Sequence, residues 1–172
     1  VFLQMLKYLY LNGRHLELHL STYSSPNTHL TGEALGLYFL GTFLPGYDSA
    51  GRWKEIGYRV LLDALEFQVR PDGTYCEQST EYHRYTADFY AMLMILRHIE
   101  GRPVEAEHRE KLGKMMEFLM HATQPNGETP LIGDDDGGRL HFFDERPFAD
   151  FRSTAAAGAV LFSDPKLKFA SG

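Results

Sequence analysis

Apolar positions recur every three or four residues from Trp53 to Met120, and no strand-like alternation precedes them, so the chain predicts helices rather than sheet. Residues 1–11 are apolar on nearly all sides and read as a helix that is buried or packed against something, stopped at Asn12-Gly13. A second helix is expected over 14–23. A third starts near Asn27, carries Leu30, Ala34, Leu37, Phe39, Leu40 and Phe43 around more than one face, and stops before Pro45-Gly46; it should be largely buried. Ser49 reads as the cap of a fourth, in which Trp53, Ile56, Val60, Ala64 and Phe67 lead to Val69. A fifth begins at Ser79 or Thr80 and runs to Glu100, closed by Gly101 and Pro103, with Tyr82, Tyr85, Phe89, Met92, Leu93 and Leu96 in one stripe. A sixth, over 105–122, carries Leu112, Met115, Met116, Leu119 and Met120. Beyond it a short strand is expected over 139–143 and a tightly packed helix over 148–162, where Ala155, Ala156, Ala157, Gly158 and Ala159 are all small. The stretch 162–169 shows no helix cap and reads as running out.

The punctuation repeats. One long helix runs into Pro71-Asp72-Gly73 and another into Pro125-Asn126-Gly127, with the prolines 125 − 71 = 54 residues apart. Two antiparallel helices with their loops need about that length. Helical hairpins at a fixed period indicate an all-α solenoid or (α/α) toroid, in which each hairpin buries its apolar face on its neighbours.

Composition narrows the function. The 172 residues, 44% hydrophobic and 13% aromatic, suffice for a sizeable core. A formal charge of −6 without any run of Lys and Arg argues against nucleic acid, which needs clustered cations. No apolar run is long enough to span a bilayer, and the opening residues lack the marks of a signal peptide. The lone Cys76 excludes an intrachain disulfide and a multi-cysteine metal site while leaving the compartment open. A first residue other than Met, and the uncapped last stretch, suggest a piece of a longer protein.

Two polar stretches sit at helix starts. In Ser24-Ser25-Pro26-Asn27-Thr28-His29-Leu30-Thr31-Gly32-Glu33-Ala34, Pro26 keeps the preceding residue extended, so the helix begins near Asn27. Its unpaired N–H groups and partial positive charge suit a carboxylate, although Asn27 serves equally well as a cap. The second stretch, residues 72–85, is again a turn feeding a helix start. Tyr82 and Tyr85, three apart, share a face and, since they begin an apolar stripe, read on spacing alone as core aromatics. His15 and His19 have zinc-ligand spacing, but no third ligand is evident. Asp134-Asp135-Asp136-Gly137-Gly138 lacks the alternating ligands and closing Glu of a calcium loop and fits a tight polar turn. No metal site is expected.

Four motifs occur in order: Asn27-Thr28-His29-Leu30-Thr31-Gly32-Glu33; Gln68-Val69-Arg70-Pro71-Asp72-Gly73-Thr74; Glu77-Gln78-Ser79-Thr80-Glu81-Tyr82-His83-Arg84-Tyr85; and Ile132-Gly133-Asp134-Asp135-Asp136-Gly137. Together they resemble the heparinase II/III-like polysaccharide lyases, which include heparinase III-type and oligoalginate lyases. The resemblance implies that residues 1–172 are part of an incomplete (α/α) toroid of antiparallel hairpins, followed in full-length proteins by a β-sandwich absent from this sequence. It implies β-elimination across a uronic-acid glycosidic bond, no required cofactor, an anionic polysaccharide or oligosaccharide as substrate, and an extracytoplasmic bacterial location.

The resemblance also assigns roles. Asn27 matches the residue that neutralises the uronate carboxylate, and His29 a neighbouring base or second donor. Tyr82 matches the catalytic tyrosine: an acid toward the leaving oxygen while protonated, and a base only if cations such as Arg84 or His29 help hold its anion. Tyr85 matches a substrate-contacting tyrosine, and Arg84 and Glu33 complete the expected substrate-binding set. Glu33 is expected either to orient the His29 imidazole or to stand exposed, and His83 to be structural or supporting. Thr28 stands where many members have Asn, which changes the carboxylate geometry. Without the sandwich the chain alone is expected to be inactive. Two other readings stay open: a non-catalytic α/α-repeat domain that binds carbohydrate or protein, and a toroidal hydrolase with Glu33 and Glu77 as its carboxylates.

Overall fold

A computed structural model describes residues 1–140 and 145–172. Among these residues the chain forms α1 (Phe2–Leu18), α2 (Thr28–Phe43), α3 (Ala50–Gln68), α4 (Thr80–Ile99), α5 (Ala106–Ala122), α6 (Arg152–Phe162) and α7 (Pro165–Ala170). No strand forms among the described residues, which hold two isolated antiparallel bridges, Val69 with Tyr75 and Glu128 with Asp150. Of the strand expected over 139–143, Arg139 and Leu140 are irregular and the rest lies outside the described residues. The chain divides into two compact units, Val1–Glu66 and Phe67–Gly172.

In the first unit, the two helices expected over 1–11 and 14–23 are one. Asn12-Gly13 does not stop α1, because Gly13 is there for close approach: a Cβ on it would lie 2.6 Å from the ring of Trp53, which is fully buried. The Asn12 amide donates to the Tyr8 carbonyl at 2.8 Å and stays inside the helix. Glu17 then fastens α1 to α3, accepting from the Trp53 indole at 3.1 Å and pairing with Arg14 and Arg52. Those cations and N–H groups, Arg52 foremost, hold its pKa down at about 2. The outer side of α1 is exposed at Phe2, Leu3 and Leu11, so of the two expectations for it, burial or packing against a neighbour, it is the second that holds. α2 and α3 run antiparallel: Gly41 meets Ala50 and Lys54, while Gly57 meets Ala34 and Tyr38. Leu30, Ala34, Leu35, Leu37 and Tyr38 are buried, as the pattern requires, whereas Phe43 is exposed.

In the second unit, α4 is buried on most sides, from Thr80 through Leu96. The repeated turns before and after α4 and α5 are the same object. In each, a residue before Pro donates to a carbonyl four residues on (Arg70 to Thr74, 2.9 Å; Gln124 to Glu128, 2.8 Å) and accepts from the glycine (Gly73, 2.9 Å; Gly127, 2.8 Å). The Asp72 or Asn126 side chain caps the amide two residues later, at 3.0 and 3.1 Å. Both glycines have positive φ, +87° and +91°.

α5 and α6 also run antiparallel, with the Arg109 guanidinium donating to the Leu161 carbonyl and Gly158 against Met116. α6 starts at Arg152, not at 148, because the Asp150 carboxylate takes the Arg152 N–H at 3.0 Å and grips its guanidinium. The expectation that 162–169 has no cap is also corrected. Asp164 accepts from the Lys166 N–H at 2.7 Å, and Pro165 occupies the first turn of α7.

Candidate active site

At the start of α2, Asn27 is the N-cap. Its Oδ1 accepts the His29 backbone N–H at 3.2 Å and lies 3.0 Å from Nδ1 of the His29 imidazole. Because the backbone donor fixes which amide atom faces inward, that atom is an oxygen and can only accept. Nδ1 therefore carries the ring hydrogen, and Nε2 of the exposed His29 carries a lone pair. The cap that the sequence offered for Asn27 is thus the one it forms, and the same oxygen sets the imidazole tautomer. Glu33 neither orients the imidazole nor stands free. Its two oxygens accept from the backbone and hydroxyl of Ser21, both at 2.7 Å, which ties the loop before α2 to that helix.

At the start of α4, Ser79 caps the helix, accepting from the Tyr82 N–H at 3.2 Å and donating to the Asp134 carbonyl. The fourth motif is laced to this helix start. Thr80 N donates to the Ile132 carbonyl at 3.0 Å, its hydroxyl to Pro130 at 2.8 Å, and Ile132 N donates back to that hydroxyl at 3.1 Å. Further along, the Arg84 guanidinium donates to the Gly138 carbonyl at 2.7 Å.

The loop so held brings a carboxylate to the phenol: Tyr82 donates its hydroxyl hydrogen to Oδ2 of Asp136. The spacing-based reading of Tyr82 as a core aromatic does not hold, since its ring is half-exposed and its hydroxyl is engaged by an exposed loop. That hydrogen bond, followed by partial burial and the charges of Asp136, Asp134 and Glu77, pushes the Tyr82 pKa above the ordinary phenol value. Arg84, one of the two cations named as able to hold a Tyr82 anion, faces away from the phenol. Arg84, expected among the substrate contacts, is 2% exposed and turned inward, bonded to Glu81 at 2.8 Å, 3.6 Å from Asp88, and stacked over Phe148 and Phe151, so here it holds the loop to the helix. Burial raises the Glu81 pKa against the pull of Arg84.

Tyr85, half-exposed, packs on Phe89 with ring centroids 4.3 Å apart and lies under Gly138, where a Cβ would come within 2.6 Å of its ring. His83 is structural: buried, stacked on Phe118 and 3.0 Å from the Met115 carbonyl, it is held neutral by burial with its pKa lowered to about 4. A cavity of about 280 Å³ opens beside the α4 start, among Arg70, Asp72, Gln78, Ser79 and His83. The larger cavity, about 690 Å³, lies among Met120, Pro125 and Phe169 and contains none of the candidate residues. Sequence reasoning missed Asp136; its place in the fourth motif was the only signal.

Residues 2–144 match the family model described as the heparinase II/III N-terminus. The chain belongs to the heparinase II/III family. It is similar to the heparin-sulfate lyase of Bacteroides thetaiotaomicron, 32% identical over 106 residues that make up 60% of this chain and 15% of that protein. It is also similar to the heparin-sulfate lyase of Pedobacter heparinus, 28% identical over 129 residues, 73% of this chain and 20% of that protein. The chain thus spans a fifth or less of the length of these relatives. A crystal structure of heparinase III superposes with a TM-score of 0.70 at 24% identity, covering 87% of this chain and 23% of that one. The heparan sulfate lyase HepC of Pedobacter heparinus gives 0.70 at 19% identity, covering 99% and 25%. These likenesses establish the fold: the class expected from the sequence, all-α hairpins of the (α/α) toroid type, is that of the heparinase III structures.

Proposed function

We propose that this heparinase II/III chain supplies the carboxylate-binding and proton-donating groups of a lyase that cleaves a uronic-acid glycosaminoglycan of the heparin-sulfate type by β-elimination. The observation that carries this reading is the Tyr82 phenol, kept as a hydrogen donor by a loop laced to its helix, in a family with curated members named heparin-sulfate lyases. The amide of Asn27, with the positive end of α2, neutralises the uronate carboxylate and so acidifies the neighbouring C5–H. Nε2 of His29 takes that proton, and the released electron pair forms the C4–C5 double bond. The bond from C4 to the glycosidic oxygen breaks with its pair going to oxygen, which receives the hydrogen of Tyr82. Exchange with water returns both residues to their starting states. Tyr85 offers its exposed edge to the sugar.

The test is to incubate the full-length protein with heparan sulfate, heparin, hyaluronan and alginate while following ultraviolet absorbance, because elimination leaves a conjugated double bond and hydrolysis does not. Absorbance should rise with heparan sulfate or heparin, and Asn27→Ala should slow it by roughly 10²–10³-fold, about 2.7–4 kcal/mol in the barrier. New reducing ends without absorbance would make the protein a hydrolase. Binding without cleavage would leave the non-catalytic carbohydrate-binding reading in its place.

A further inference from the structure

The proposed mechanism uses the fourth motif only as the loop beside Tyr82, without assigning a role to any of its side chains, and that loop is anchored to α4 at several points. Thr80, Ser79 and Arg84 hold the backbone of Pro130, Ile132, Asp134 and Gly138. Two of its three acidic side chains are turned back onto the loop itself. Asp134 accepts from the Asp135 N–H at 3.0 Å, and Asp135 from the Gly137 N–H at 2.7 Å. The third, Asp136, reaches Tyr82.

We infer that Asp136 is the positioning residue of the proton donor: its carboxylate, set in place by the anchored loop, keeps the hydrogen on Tyr82 and fixes the direction in which the hydroxyl points. The catalytic meaning of this inference rests on the lyase reading, whereas its physical content, a phenol held protonated by a fixed carboxylate, rests on the contact alone. Among the described residues, the charges that weigh most on the phenol are those of Asp136, Asp134 and Glu77, all acidic. A preformed phenolate is disfavoured beside them, so Tyr82 is the acid of the elimination and not its base. When Tyr82 has given its hydrogen to the leaving oxygen, the phenolate beside Asp136 recovers a proton from water, which restores the donor for the next cycle.

The experiment is a tyrosinate absorbance titration of the full-length protein without substrate, comparing wild type, Tyr82→Phe, Asp136→Asn and Asp136→Ala. The step that Tyr82→Phe removes should lie above the ordinary phenol value of about 10 in the wild type and move down toward it in both Asp136 variants. Where elimination is measurable, the alkaline limb of the kcat profile should move down with it. An unshifted midpoint in both variants overturns the inference, as does a kcat that falls equally at every pH, the mark of a merely structural contact. Absence of any elimination by the wild type would sink the lyase reading while leaving the titration to judge Asp136.

Discussion

His83 and Arg84 sit side by side in the third motif, and both are buried for reasons that can be tested one residue at a time. His83 has an ordinary pKa of 6.5 when unfolded and about 4 in the fold, so folding favours its neutral form. Its stabilising contribution is complete above pH 6.5 and declines as pH falls toward 4, by about 3 kcal/mol in all at 1.36 kcal/mol per unit. His83→Gln keeps an N–H for the Met115 carbonyl but does not titrate. Denaturant midpoints at pH 7 and at pH 4.5 should therefore differ less in the variant than in the wild type; an equal drop in both would remove His83 as a cause of acid sensitivity. The burial of Arg84 was legible in principle, because Glu81 and Asp88 stand three before and four after it and can satisfy it on one helix face. The family resemblance instead places Arg84, two residues from Tyr82, among the substrate contacts. Asn27 was harder to place, since cap and ligand are both sound readings of Asn before a helix; the structure shows the cap, with the imidazole of His29 3.0 Å away.

At the scale of elements, the helices with periodic apolar stripes, α2 to α5, were legible within a residue or two of their ends. Three elements were misjudged, the first because a local signal depends on what packs nearby, the others because a capping carboxylate went unread. Asn12-Gly13 carries a stop signal, but Trp53 occupies the space that the missing Cβ leaves. The start of α6 was misplaced because the grip of Asp150 on Arg152 sets it, not the run of small residues. α7 was overlooked although Asp164-Pro165 is a sound cap and first turn. The 54-residue repeat, by contrast, appears in the hydrogen bonds of its two turns. Both turn glycines have positive φ, yet their surroundings differ: a Cβ on Gly73 would sit 2.3 Å from the Lys114 backbone carbonyl, whereas one on Gly127 would meet the Arg152 guanidinium, a side chain that can shift only by loosening its ion pair with Asp150. Gly73→Ala should cost about 2 kcal/mol or more and Gly127→Ala less, as read by urea unfolding. Equal costs would mean that backbone conformation alone sets the penalty.

On the scale of the whole molecule, the aligned stretches make up only 15–20% of the length of the curated relatives, so ultraviolet-detected elimination is expected from a full-length protein and none from residues 1–172 alone. Fold and family were legible because four motifs kept their order and spacing; the partner of Tyr82 was not, because Asp136 lies 54 residues further along the chain and reaches it only through an anchored loop. The claim on which the account depends is that the Tyr82 hydroxyl delivers the proton to the leaving sugar. The most direct measurement is the rate of ultraviolet absorbance increase on heparan sulfate for the full-length protein with and without Tyr82→Phe, a change that removes one oxygen. The account predicts a fall of about 10²–10⁴-fold with an unchanged unfolding midpoint; a variant that turns over at the wild-type rate would contradict it.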